Sequence, residues 1–387
     1  MNTFTRWIRA GASLALCVAA ALPLLAADTP EEKALNDEVR AALPCGGNFD
    51  PKPEEGIFVA AGHGLNVVAS RDDGKTWTQV FMGRPGGDHG YWAVWNTVAY
   101  TEGVIAIAAG WGGPGTIIAS DDGVNWRHLA DASRTTSRKD GKPYDMPNTM
   151  ELLGVKGSFI LPLEATPDFG KTWYRASAYA FTNAAGERLK VDVGHPSAAY
   201  ADWNGGRVIV VGDSGPSIFS DDLGKTWKPF EGVKAEPWGE GGAKGIIGKG
   251  DVFLLLKGDG SMVLRSVDGG LTWQAHPLGV KRPQGRMFSL SVIGDRFVIA
   301  GDTAKSSVDG IVWEDLPNET PSGRIAVSDT GAMINVNRSR NSILRSADGK
   351  TWETVYTFEP TGTGGAQGLA DVVYGKVKKI AAPPAVE

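Results

Sequence analysis

Ser220–Trp227 reads SDDLGKTW, and the chain says it seven times. The other copies are SRDDGKTW (Ser70–Trp77), SDDGVNW (Ser120–Trp126), TPDFGKTW (Thr166–Trp173), SVDGGLTW (Ser266–Trp273), SVDGIVW (Ser307–Trp313) and SADGKTW (Ser346–Trp352). Four copies have eight residues, and three lack one residue between the Asp and the Trp. Each follows a short apolar run such as NVVAS, TIIAS or MVLRS and leads into a second strand-like run, so each reads as a hairpin tip. Asp and Ser side chains accept hydrogen bonds from backbone N–H groups a few residues on, and Gly supplies a positive φ without steric cost. The Trp opens the next strand with a large apolar surface and one donor.

Outward from the turns, the Trp-to-Trp intervals are 49, 47, 54, 46, 40 and 39 residues. A four-stranded propeller blade needs roughly 40–45. One period shows its strands plainly: SLSVIG, DRFVIAG, the run into the turn, then VWEDL. These are expected to be strands A, B, C and D, counted outward from the propeller axis. The first period has only B, C and D (IFVAAG, NVVAS, WTQVF), and its A strand is expected from GLADVVYG, Gly368–Gly375, at the far end of the chain. Such a split blade closes the ring and leaves no open sheet edge.

The repeated pattern Ser/Thr-x-Asp-x-Gly-x-Thr-Trp resembles the Asp-box (BNR) repeat of the sialidase-like β-propellers, over about Gly56 to Ala382. The resemblance implies an all-β, seven-bladed propeller of four-stranded antiparallel blades. The boxes themselves are structural in this reading, because a repeat protein needs identical turns and has no use for seven identical active sites. Sialidases use an arginine triad, a Tyr nucleophile with a Glu partner, an Asp acid/base and a Phe/Tyr-Arg-Ile-Pro motif on a six-bladed propeller. The nearest stretch here, Gly323-Arg324-Ile325-Ala326, lacks the aromatic and the Pro, so no sialidase catalytic residue carries over.

The flanking segments have their own signatures. Residues 1–27 read as a secretory leader: Arg6 and Arg9, an apolar stretch, then Leu25-Ala26-Ala27 for cleavage. A secreted or periplasmic protein is expected, with no membrane attachment after cleavage. Residues 28–55 are read as a short helix and linker, opened by the capping box Thr29-Pro30-Glu31-Glu32. Residues 56–382 form the propeller and 383–387 a tail. Cys45 is the single cysteine beyond the leader, so no internal disulfide can form. The formal charge of -5 is spread without a basic run, which excludes the electrostatic footprint of a nucleic-acid binder. No cofactor is expected. No metal is expected either, since His63 and His89 lack compact ligand spacing, and the protein should be a monomer.

Because strands alternate in direction, A–B and C–D connections share one face, and B–C and D–A connections share the other. The boxes are C–D connections, so function is expected on the opposite face, at the channel mouth, on loops held by the scaffold. The D–A connections are longest after blades one to three: 81–93, 130–147 and 177–193. The first carries Arg84, Asp88, His89, Tyr91 and Trp92, the second Arg138, Tyr144 and Asp145, and the one after blade four Glu236, Trp238 and Glu240. Aromatic rings beside carboxylates on a concave face suit sugars. The same aromatics could equally fasten their own loops.

Aligning the starts of the A strands points to a second set. Eight residues before the closing Gly lie Arg286, Trp95 and Gln367, and the Gly-Arg pairs Gly285-Arg286 and Gly323-Arg324 align Arg324 with them. His195 and Lys244 fall within about two residues of that position. Successive blades would then present His195, Lys244, Arg286 and Arg324, an arc suited to an anionic ligand unless each base finds an internal acid.

Two functions follow. One is a carbohydrate-active propeller, of glycoside hydrolase or polysaccharide lyase type, acting on an acidic glycan. In it His195, His89 and Tyr91 are the candidate catalytic groups, and Lys244, Arg286, Arg324, Trp92, Trp95 and Trp238 bind the substrate. The other is a non-catalytic binding or assembly factor, similar to the seven-bladed Asp-box proteins that assist photosystem assembly.

Overall fold

The computed structural model describes residues 48–380 except 83–94, 111–115, 130–134, 137–142, 145–150, 177–180, 183–184, 188–198, 203–205, 213–214, 231–242, 258–259, 280–288, 302–303, 317–319, 338 and 360–367. The expected leader, most of the N-terminal segment and its helix, and the tail lie outside these residues. Among the described residues the one helical element is the 3-10 turn His63–Leu65.

Seven four-stranded antiparallel sheets make up the fold, together with a two-stranded ribbon (Thr135–Thr136 with Pro143–Tyr144) between blades two and three. The A strands are Leu369–Val377, Trp95–Thr101, Leu153–Val155, Ala199–Asp202, Ala243–Lys249, Ser289–Ile293 and Arg324–Val327, for blades one to seven. Each touches the next, and the seventh touches the first, so they ring a central channel.

Closure takes the expected form. The last strand pairs with Glu55–Gly62, from Glu55 opposite Val377 to Gly62 opposite Leu369, and completes blade one. It runs two residues past Gly375, the end read from the sequence. Alternation then divides the apolar residues of Glu55–Gly62 between two blade interfaces. Ile57 and Val59 pack with Val98 and Ile105 of blade two, while Phe58 and Ala60 pack with Ile334 and Ile343 of blade seven. A strand buried on both faces needs a continuous apolar run, which is why IFVAA is unbroken.

The repeated turns are alike in atomic detail. In Ser220–Trp227 the Ser220 hydroxyl donates to Asp222 Oδ1 (2.8 Å) and accepts the Gly224 N–H (2.8 Å). Asp222 also accepts the Thr226 N–H (2.8 Å) and hydroxyl (2.6 Å). Gly224 sits at φ +80°, where a side chain is strained. The extra residue of the eight-residue copies is also left-handed: Asp73, Phe169 and Leu223 at φ 66°, 55° and 59°, and Gly269 at 72°. In the seven-residue copies that residue is gone, and the Asp takes the N–H groups of the two residues after the Gly, as Asp309 does from Ile311 (2.8 Å) and Val312 (3.0 Å). One residue can therefore be dropped without losing the acceptor.

Neighbouring turns are tied by cations on backbone carbonyls. Arg345 Nε donates to Asp73 (3.0 Å), Arg207 Nη1 to Gly269 (3.0 Å) and Arg265 Nε to Asp309 (2.8 Å). The A–B turn of blade seven meets the same face, where the Ser328 hydroxyl donates to Asp73 Oδ1 (2.6 Å). The A–B and C–D connections thus share one face, and the mouth lies opposite.

Candidate functional site

The inner strands start at the mouth and run inward, so the first residues of each are the ones a ligand entering the channel would meet. Arg324 opens the A strand of blade seven, as the Gly-Arg alignment expected. Gly323 before it has φ +121°, and a Cβ there would collide with the Val336 carbonyl oxygen. Only glycine lets the chain enter the strand so close to its neighbour.

From that position Arg324 crosses the channel. Its Nη2 donates to Glu151 Oε1, just ahead of the A strand of blade three, and its Nε lies 3.8 Å from Asp371 Oδ1 in the A strand of blade one. Asp371 is fixed by further donors: Oδ2 accepts the Thr97 hydroxyl (3.1 Å) and the Val98 N–H (3.0 Å), and Oδ1 accepts the Val372 N–H (2.9 Å). Thr97 in turn accepts the Leu152 N–H (3.2 Å), which ties blade two to blade three beside Glu151. One hydrogen-bonded cluster at the mouth end of the channel therefore joins blades seven, one, two and three.

The cluster is reachable. Side-chain exposure is 37% for Arg324, 22% for Glu151 and 13% for Asp371. Its electrostatics are uneven. The Glu151 charge pushes the Arg324 guanidinium above its ordinary value, against the cost of burial and with help from Asp371. Burial pushes Glu151 above the usual carboxylate range; Arg324 opposes this, and the neighbouring Asp371 adds to it. Glu151 is thus a raised carboxyl paired with Arg324, set near a carboxylate whose two oxygens accept other donors.

The other sequence candidates divide in two. Trp95 and Lys244 lie at or next to the mouth-side starts of their A strands, as first residue in blade two and second in blade five, and their side chains lie outside the description. His89, Tyr91, Trp92, His195, Trp238 and Arg286 lie outside the described residues altogether. Glu151, Asp371 and Thr97 were not among the sequence candidates. A signal for them was present: Asp371 is a lone acid in the apolar inner-strand run LADVVY, and Glu151 stands immediately before LLGV. Among the described residues no group of three or more His, Cys, Asp or Glu side chains could hold a metal ion.

Comparison with known proteins yields only distant likenesses. No protein-family model matches it, and no curated protein matches it. Solved structures similar to it include YCF48 bound to D1 peptide, at 14% identity and TM-score 0.45, covering 89% of this chain and all of that one. A streptogramin B lyase is similar at 12% identity and TM-score 0.48, covering 72% of this chain and 86% of the lyase. A putative 6-phosphogluconolactonase from Bacteroides uniformis is similar at 9% identity and TM-score 0.47, covering 84% and 100%. The strand pairing of the chain itself carries the fold assignment, and fold does not fix function.

Proposed function

We propose that the protein is a secreted or periplasmic monomer that binds a carbohydrate at the channel mouth. The observation that carries this reading is the Glu151–Arg324–Asp371 cluster. It presents guanidinium donors and carboxyl acceptors side by side on a partly exposed channel wall, a set that matches hydroxyls able both to donate and to accept. The aromatics Trp92, Trp95 and Trp238 supply the stacking surface in this reading. In a catalytic form of this reading Glu151 is the proton-carrying group, because it stands at the mouth on Arg324 and burial raises its carboxyl. Asp371 positions Arg324 in this reading.

A second reading, a non-catalytic binding or assembly factor, is favoured by one observation: Arg324 already has two internal acids. The experiment is calorimetric titration of neutral and uronate-containing oligosaccharides, with mass spectrometry of the products. Binding and cleavage by the wild type, with binding but no cleavage in Glu151→Gln, is the expected result. Binding without cleavage by the wild type promotes the second reading, and no binding of any oligosaccharide overturns the first.

A further inference from the structure

Arg324 is occupied, but a second guanidinium on the same blade is not. The B–C connection of blade seven lies on the mouth face, and its described residues 337 and 339–341 include Arg340. Five other arginines, Arg71, Arg207, Arg296, Arg324 and Arg345, each pair with a carboxylate. Arg340 shows no such pair among the described residues; Arg127, over the Phe49 ring, and Arg265, on the Asp309 carbonyl, are alike in this but do not lie on this loop. The side-chain partner of Arg340 among these residues is a neutral amide, with Nη1 donating to Asn335 Oδ1 at 3.1 Å.

The position is built from below. Asn335 is completely buried, and its Nδ2 donates to the Arg324 carbonyl (3.2 Å) and, at a long 3.4 Å, to the Ser322 carbonyl. Asn337, 9% exposed, donates through Nδ2 to the Ser322 carbonyl (2.9 Å) and hydroxyl (2.8 Å) and accepts the Ser339 N–H (2.9 Å). The Arg340 N–H closes the loop on the Asn337 carbonyl (2.9 Å). Two asparagines thus lock the loop to the chain that enters the inner strand at Arg324. A neutral amide fixes one end of the guanidinium without cancelling its charge. The other donors, on Nε and Nη2, form the edge that receives a planar or tetrahedral oxyanion through two hydrogen bonds.

We propose that Arg340 is an oxyanion subsite at the blade-seven edge of the mouth, reading the carboxylate or sulfate of an acidic oligosaccharide. The assignment rests on the carbohydrate reading for the class of ligand and on the asparagine scaffold for the place. It moves the anion from the arginine that alignment singled out to one a short loop away. Burial pushes the Arg340 guanidinium below its ordinary value, the direction expected of a cation without a counter-charge. A guanidinium pre-positioned by Asn335 also loses little freedom when the anion arrives.

The test uses the full chain and two variants, Arg340→Gln and Arg340→Lys, with thermal unfolding to establish that both are folded. Three oligosaccharides matched in length, one neutral, one uronate-containing and one sulfated, are titrated by calorimetry. Separately, sodium sulfate is titrated while the 15Nε signal of Arg340 is followed by NMR. The wild type should bind at least one acidic oligosaccharide about tenfold more tightly than the neutral one, and added salt should shrink that margin. Arg340→Gln should bring the two within about twofold while leaving the neutral affinity unchanged, and Arg340→Lys should fall between. The uronate and sulfate arms tell which oxyanion is read. If the acidic preference survives in Arg340→Gln, or acidic and neutral sugars bind the wild type equally, the subsite is overturned while the carbohydrate reading stands. If no sugar binds but sulfate moves the Arg340 signal, the subsite stands and the carbohydrate reading falls. A signal unmoved by sulfate, with no sugar bound, overturns both.

Discussion

At the turn face, the Asp222 carboxylate takes its hydrogen bonds from Ser220 and Thr226, two and four positions away. At the mouth end, the Asp371 carboxylate takes two of its own from residues 273 and 274 positions away. Both aspartates organise backbone N–H groups, and both are joined by a hydroxyl. The difference is that the first network exists as soon as one hairpin forms, while the second exists only when four blades have assembled around the channel. Seven self-contained turns make the scaffold tolerant of sequence change at any one of them. A single convergent cluster ties the closing strand to three other blades through a few side chains.

That contrast ranks the expected effects of mutation. The largest is removal of everything after Gly364, which takes away the inner strand of blade one and Asp371 together. Cooperative thermal unfolding should be lost and the protein should associate through its exposed edges. A soluble monomer with unchanged melting temperature would show that the ring does not depend on this strand. Next, Arg324→Gln leaves Glu151 and Asp371 facing each other without their cation. Breaking a buried pair typically costs about 3–5 kcal/mol, and the partial exposure of Arg324 lowers the expectation to about 2–3 kcal/mol. Chemical denaturation reads it, and a loss below about 1 kcal/mol would remove the cluster from the account of closure.

Asp222→Ala should cost less, about 1–2 kcal/mol, since the turn is partly solvated and only local donors lose their acceptor. The two regions should also respond to pH with opposite sign. Burial alone would raise Asp222, but the Thr226 and Ser220 hydrogen bonds outweigh it and hold the carboxyl below its usual value. At Asp348 the N–H groups of Thr351 and Lys350 bring it to about 2. Stability from such groups is present above the unfolded carboxylate value of about 4 and is lost as pH falls through the folded value. Glu151 is raised, so its contribution is present below its unfolded value and is lost as pH rises through the folded one. The stability of Glu151→Gln relative to wild type should therefore improve from pH 4 to pH 8, and a difference flat with pH would contradict the raised carboxyl.

The smallest effect is expected where the turns themselves disagree. The residue after the Gly is Lys75, Lys171, Lys225 or Lys350 in four copies but Val124, Leu271 and Ile311 in blades two, five and six, of which the last two are 55% and 43% exposed. Replacing these two with Lys should change stability by no more than about 0.5 kcal/mol. A larger loss would mean that these apolar tips are covered by something.

The same contrast explains what was legible in the sequence. The turns, the blade count, the split blade and the mouth-side position of Arg324 follow from residue types at short spacing, repeated seven times. Alternation then assigns strand faces without knowledge of the partner. Glu151 and Asp371 have no local reason to be where they are. Glu151 stands just ahead of an apolar inner strand and Asp371 inside one, and the partner that explains both, Arg324, lies 173 positions from Glu151 and on a different blade from Asp371. The alignment found the cation but not the acids that hold it, because convergence in a ring is a property of the closed structure and not of any one repeat. Arg340 was missed because the alignment compared the starts of the inner strands, and Arg340 lies in a B–C connection.

The division of labour between the faces is tested most directly by oligosaccharide affinity, measured by calorimetry at a temperature where every protein is folded. Wild type, Asp222→Ala and Arg324→Gln are compared with one oligosaccharide that the wild type binds. The turn variant should bind within about twofold of wild type, and the channel variant should lose tenfold or more. Loss of binding in Asp222→Ala with full binding in Arg324→Gln would put the site on the turn face and contradict the account.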